Sequence, residues 1–143
     1  MKRTLGVVML MALLATAALA EQKKSEGWNG LGILRNARYV YVTSYDGPQF
    51  SMNLLPDDQT AIAAVQDAIQ KAGYVVVYRP QEADMVLAVM ARPSSDVLAV
   101  YNGGRYRTGT YLWRAEGRNG LSGSNPTLVQ QLERALERAG AKS

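Results

Sequence analysis

Between residues 73 and 90 the chain reads GYVVVYRPQEADMVLAVM, two apolar runs (74–78 and 85–90) around a six-residue polar break. Both runs are Val-rich and neither alternates with polar residues, which predicts strands covered on both faces. Upstream, residues 38–45 (RYVYVTSY) are β-branched or aromatic except Arg38 and Ser44 and predict the first strand, closed by a turn at Asp46-Gly47-Pro48. Phe50, Met52, Leu54 and Leu55 then supply enough apolar area for the connection to fold back onto the core.

Residues 57–72 read as a helix, with Pro56 and Asp57 at its start and Asp58 placing charge in its first turn. Ile62, Val65, Ile69 and Ala72 form one apolar stripe, and Gly73 is the stop. Strand, helix and strand make a βαβ unit with parallel strands and a right-handed crossover. Residues 92–96 are a turn, residues 97–101 a fourth strand, and Asn102-Gly103-Gly104 supplies residues that tolerate positive φ at a hairpin. The fifth strand is expected over residues 105–117, with Tyr111, Trp113 and Ala115 on one face and Thr110, Leu112 and Arg114 on the other. After a Gly/Ser loop, Asn125-Pro126 opens a last helix whose Leu128, Leu132, Ala135, Leu136 and Ala139 make a stripe before Gly140.

The fold expected is α/β (α+β): a single mixed five-stranded sheet, elements in the order β-α-β-β-β-β-α, with two helices packed on one face. The bare face then needs a cover. Either an arm carrying Trp28 together with residues 50–55 supplies it, or another subunit does, making a homo-oligomer.

Charge and composition add a compartment. Lys2 and Arg3 precede an apolar run over residues 5–14, and Ala18-Leu19-Ala20 supplies the small-x-small pattern of a signal peptide cleaved between Ala20 and Glu21. The run is shorter than the roughly 20 residues that span a bilayer. The organisation expected is a signal peptide over 1–20, a flexible lead-in over 21–36 and a single domain over 37–143, exported to the periplasm or beyond. Losing Lys2 and Arg3 lowers the formal charge from +4 to +2, so the working chain is only mildly basic. With no Cys there is neither a lipid anchor nor a disulfide, and no membrane attachment is expected after cleavage.

Tyr45-Asp46 with Phe50, Lys71-Ala72-Gly73-Tyr74, Glu82-Ala83-Asp84 and Leu112-Trp113-Arg114 occur in an order that resembles a bacterial envelope family defined only as a domain of unknown function, many of whose members are lipoproteins. The arrangement is similar, more loosely, to the amino-terminal domain of the periplasmic TolB protein. The resemblance implies an envelope location and brings no catalytic residues. The missing Cys keeps the lipoproteins' anchoring from carrying over.

Candidate chemistry is narrow, because the chain has neither His nor Cys. The commonest general base, thiol nucleophiles and usual Zn ligands are absent, and no cofactor or metal is expected. Asp46, Glu82 and Asp84 are the carboxylates a small hydrolase would use, if the first and third strands run antiparallel and let them converge. In the plainer reading Asp84 bonds nearby backbone N–H groups and Asp46 opens an Asx-turn. Arg105, Tyr106, Arg107 and Arg118, with Tyr111, Trp113 and Arg114, make a basic-aromatic cluster. Such a surface holds anions. For an exported chain the partner expected is an anionic glycan, a lipid head group or another envelope protein, and not nucleic acid. Alternatively, Trp113 and Tyr111 are core and the arginines guard a strand edge.

Overall fold

A five-stranded mixed sheet with two helices on one face organises the chain, in a computed structural model that describes residues 29–108 and 111–141 and only the backbone at 29, 105, 107 and 108. Along the chain the elements are β1 (Tyr39–Ser44), α1 (Pro56–Lys71), β2 (Val75–Val77), β3 (Met85–Met90), β4 (Asp96–Asn102), β5 (Trp113–Gly117) and α2 (Thr127–Arg138). Across the sheet the order is β2-β1-β3-β4-β5, with β1 parallel to β2 and β3, and the remaining pairs antiparallel. The fold class expected from the sequence is therefore the one observed.

Both helices bury one stripe against the same side of the sheet. Ile62, Val65 and Ile69 of α1 and Leu128, Leu132 and Leu136 of α2 meet Val40, Val42, Met85, Leu87, Leu98 and Val100 in one cluster. Each fully buried Leu, Ile or Val contributes about 1.5–3 kcal/mol of transfer free energy. Gly73 (φ 98°) and Gly140 (φ 70°) end the two helices in the left-handed region, where side chains are strained. Central β3 is buried on both faces, as its unbroken apolar run predicts.

Several expectations need correction. The run at 74–78 yields only a three-residue edge strand with Val75 half-exposed, because among the described residues β2 has no neighbour on its outer side. Within the expected lead-in, Asn29–Leu34 is a 3-10 helix whose Leu31 and Leu34 belong to the main core. The signal segment, the cleavage point at Ala20–Glu21 and Trp28 lie outside the described residues. Of residues 50–55 only Leu54 folds in, while Phe50 and Met52 are exposed. Two tight turns, closed by Ser51 N–H to Pro48 C=O and Leu54 N–H to Ser51 C=O, rotate them outward.

The largest difference lies after β4. Residues 103–108 form a 3-10 helix and β5 begins only at Trp113, so β4 and β5 are not joined by a two-residue hairpin. Gly103 and Gly104 do not take positive φ. Gly103 is required for close approach: a Cβ there would lie 1.9 Å from the Ala83 carbonyl oxygen, while its N–H donates to the Asp84 carbonyl at 3.0 Å. At Gly104 a Cβ meets nothing within 4 Å. Gly103→Ala is accordingly expected to cost about 1–3 kcal/mol by overpacking, and Gly104→Ala to stay within about 0.5 kcal/mol. Urea unfolding of the two variants beside the parent measures both, and equal midpoints would contradict the close approach.

Candidate functional site

The carboxylates do not assemble. β1 and β3 are parallel in the register Val40↔Met85 to Ser44↔Val89, so Asp84 precedes one end of the pair and Asp46 follows the other. The separation is at least on the order of 13 Å, four residues of strand, whereas paired glycosidase carboxylates stand about 5–9.5 Å apart. Asp84 instead accepts the backbone N–H groups of Arg38 and Tyr39 at 3.0 and 3.1 Å, fixing the start of β1. The turn after β1 is not capped by Asp46. The Ser44 hydroxyl accepts the Asp46 N–H at 3.0 Å, and the Asp46 carboxylate pairs with Arg92 at 3.0 Å.

Arg92 ties three segments together. Its guanidinium also reaches the fully buried Asp58 in the first turn of α1 at 3.3 Å, and Asp58 accepts the Ala91 N–H at 2.8 Å. Hydrogen bonds to Asp58 and then Asp46 hold the guanidinium's proton above its already high ordinary affinity. Asp96 accepts the backbone N–H groups of Arg92 and Leu121 at 3.3 and 3.0 Å. Among the described residues no buried side-chain polar atom lacks a partner. The cluster is a lock between β3, α1 and the loop before α2.

The face opposite the helices has a different character. Registers place Tyr41, Val86 and Tyr101 in one row across β1, β3 and β4, and Thr43, Ala88, Ala99 and Arg114 in the next row, which reaches β5. Ala88 and Ala99 are 1% and 0% exposed although neither α1 nor α2 packs on their side of the sheet, so something else covers them. Tyrosines do. The Tyr45 hydroxyl, from just beyond β1, hydrogen-bonds Tyr101. Tyr106 and Tyr111 meet the Tyr101 ring edge-on, with centroids 5.4 and 6.4 Å away. The small residues form a trough in which large rings lie down, and edge-to-face contact suits their quadrupoles. Tyr39, Tyr45 and Tyr111 stay about half-exposed at the rim.

The residues marked out by sequence fall on either side of this face. Tyr106 and Tyr111 join it, and Arg114 is close enough to Tyr45 to act on its phenol. Trp113 turns to the helix side and packs on the main core. Leu112 does too, contrary to the alternation expected for an unbroken strand. Arg118 is exposed in the turn after β5. The side chains of Arg105 and Arg107, and Thr110 altogether, lie outside the described residues. Sequence reading missed Tyr41, Tyr45 and Tyr101 as members. The alternation Tyr39-x-Tyr41 was the available signal.

Burial pushes the Tyr45 phenol well above its ordinary value, and the Tyr101 hydrogen bond adds to the shift. Burial raises Tyr74, on the helix side, in the same direction. A raised folded-state pKa contributes stability that is fully present below the unfolded value of about 10 and is lost as pH climbs above it. The denaturation midpoint is expected to fall from pH 9 to pH 11, and to fall less in Tyr45→Phe, which has no phenol to ionise there. Parallel loss in parent and variant would remove Tyr45 as a source.

No family model matches the chain, and no curated protein does either. Among solved structures it is similar to a dodecameric PelC variant from Paraburkholderia phytofirmans at 16% identity, over 76% of this chain and 90% of that one, with a TM-score of 0.39. A likeness that slight bears on neither the function nor the assembly of this chain.

Proposed function

We propose that the chain is an exported, non-enzymatic binding module of a bacterial envelope, and that its tyrosine-lined sheet face holds an anionic glycan. The observation that carries this reading is the ring cluster of Tyr45, Tyr101, Tyr106 and Tyr111, half-exposed at its rim beside Arg114. Phenol faces offer apolar area to the C–H face of a sugar ring, and phenol hydroxyls offer polar partners at its edge. Arginine pairs bidentately with carboxylate or phosphate. The separated carboxylates support no competing hydrolytic reading. Export rests on the basic, apolar and small-residue order of residues 1–20.

Affinity for an acidic oligosaccharide is expected to fall steeply from 50 to 300 mM salt, because exposed charges are screened within about 8–10 Å at physiological ionic strength. Tyr111→Ala should weaken binding about tenfold, the loss of one ring contact of on the order of 1.4 kcal/mol. Arg105→Gln with Arg107→Gln should weaken it while leaving the melting temperature nearly unchanged. Calorimetric titration reads all three, and salt-independent binding indifferent to Tyr111 would sink the reading. For export, the full chain expressed in a Gram-negative host should be recovered from the periplasm with a mass lacking residues 1–20, and an intact mass would count against it.

A further inference from the structure

β5 is the last strand of the sheet, and among the described residues it pairs with β4 alone. Its outer backbone N–H and C=O groups face away from the sheet, a row that another extended chain can complete. Which chain fits is written in its five residues, Trp113-Arg114-Ala115-Glu116-Gly117. Folded antiparallel onto itself about Ala115, this sequence sets Arg114 opposite Glu116 and Trp113 opposite Gly117. Opposite charges meet on one face, and the largest side chain meets the smallest on the other.

We propose that a second copy of this chain docks on the outer edge of β5, antiparallel and two-fold related about Ala115. A two-fold interface must be self-complementary, with each residue meeting the partner of its own partner. Neighbouring registers fail. Sliding by two residues one way opposes Arg114 to Arg114, and the other way opposes Glu116 to Glu116 and Arg114 to Arg118. Like charges directly opposite are destabilising, so only the Ala115 register avoids them. A slip by one residue would turn each copy's Arg114 and Glu116 toward the other's helix side.

Within one copy Arg114 and Glu116 already pair at 2.8 Å with both side chains about half-exposed. Association exchanges the two intrachain pairs, one per copy, for two equivalent ones across the axis and leaves no charge unmatched. The helix side of the same edge agrees. The groove between β5 and α2 is lined by Arg114, Arg134, Glu137 and Arg138, which carry both signs with arginine in excess. The arginines disfavour a basic strand at this edge, and the Arg114–Glu116 alternation suits it to a second copy. Because the axis stands perpendicular to the sheet, two five-stranded sheets become one, with both tyrosine faces on the same side. The contact is small for a stable dimer, so dissociation on the order of 1–100 µM is expected.

Sedimentation of the purified chain across that range tests the proposal, which does not depend on any ligand. The parent should dimerise. Arg114→Glu and Glu116→Arg, each bearing like charges across the axis, should dissociate at least tenfold more readily, and an equimolar mixture of the two should regain the parent's affinity. Because the chain has no Cys, Ala115→Cys should oxidise to a covalent dimer, while Val75→Cys on the opposite edge should not. A parent that stays monomeric at 300 µM overturns the proposal. So do charge variants that still dimerise, a mixture that does not, or Cys at 115 and 75 cross-linking equally well.

Discussion

A sheet with helices on one side only must still keep water off its other side, and the rest of this structure follows from how that is done. The central strands β1, β3 and β4 carry Thr43, Ala88 and Ala99 side by side. Side chains this small leave a hollow, and exposed sheet backbone beneath a hollow would lose its advantage over water. Tyr45 and Tyr101 close it from opposite ends, near enough to act on each other's phenols, with Tyr106 and Tyr111 standing against Tyr101. Tyrosine suits the task because its ring is apolar enough to seal and its hydroxyl can remain satisfied at a wet surface. Leucines in the same places would leave an exposed apolar patch of the kind that invites aggregation.

The cover depends on parts remote from it. Tyr106 reaches Tyr101 because residues 103–108 curl into a 3-10 helix, and that helix is admitted only where Gly103 lies against the Ala83 carbonyl. Tyr45 is positioned by its own N–H, which donates to Val89 C=O at 3.2 Å and prolongs β1 past its last paired residue. Just beyond, Asp46 meets Arg92, and Arg92 meets buried Asp58. The buried half of that lock matters most, since a charge stranded at Asp58 would cost several kcal/mol, whereas the exposed Asp46 pair is worth about 1 kcal/mol or less. One guanidinium thus fixes where α1 starts and where the turn carrying Tyr45 leaves the sheet.

Much of this was legible in residue order. β3 announced itself by six apolar residues without interruption, and both helix ends by Gly73 and Gly140, because these are local requirements of burial and of φ. Residues 103–112 were not legible. GGRYRTGTYL carries the β-branched and aromatic residues of a strand, and tertiary contact with Ala83 and Tyr101 overrides that preference. Leu31 and Leu34 looked like part of a loose lead-in, because three glycines nearby mask a three-residue spacing that only a short helix needs. The tyrosine face stayed hidden for a different reason. Tyr39-x-Tyr41 shows that two rings share a side of β1, but not which side lacks helices until both helices are placed.

β5 is where face and edge become one problem. Its odd positions, Trp113 and Ala115, pack on the main core, and its even positions, Arg114 and Glu116, stand on the tyrosine side. Arg114 pairs with Glu116 of its own chain, and the two proposals add two further claimants: an anion on the tyrosine face and the acidic residue of a strand added at the edge. One guanidinium cannot satisfy all three at full strength. An anion that draws Arg114 inward over the rings withdraws it from the edge, and a strand that holds it at the edge withdraws it from the rings. Linkage makes any such opposition reciprocal: whatever factor ligand takes from pairing, pairing takes from ligand. If both proposals hold, the alternation of charge on a five-residue strand couples the two surfaces through a single side chain.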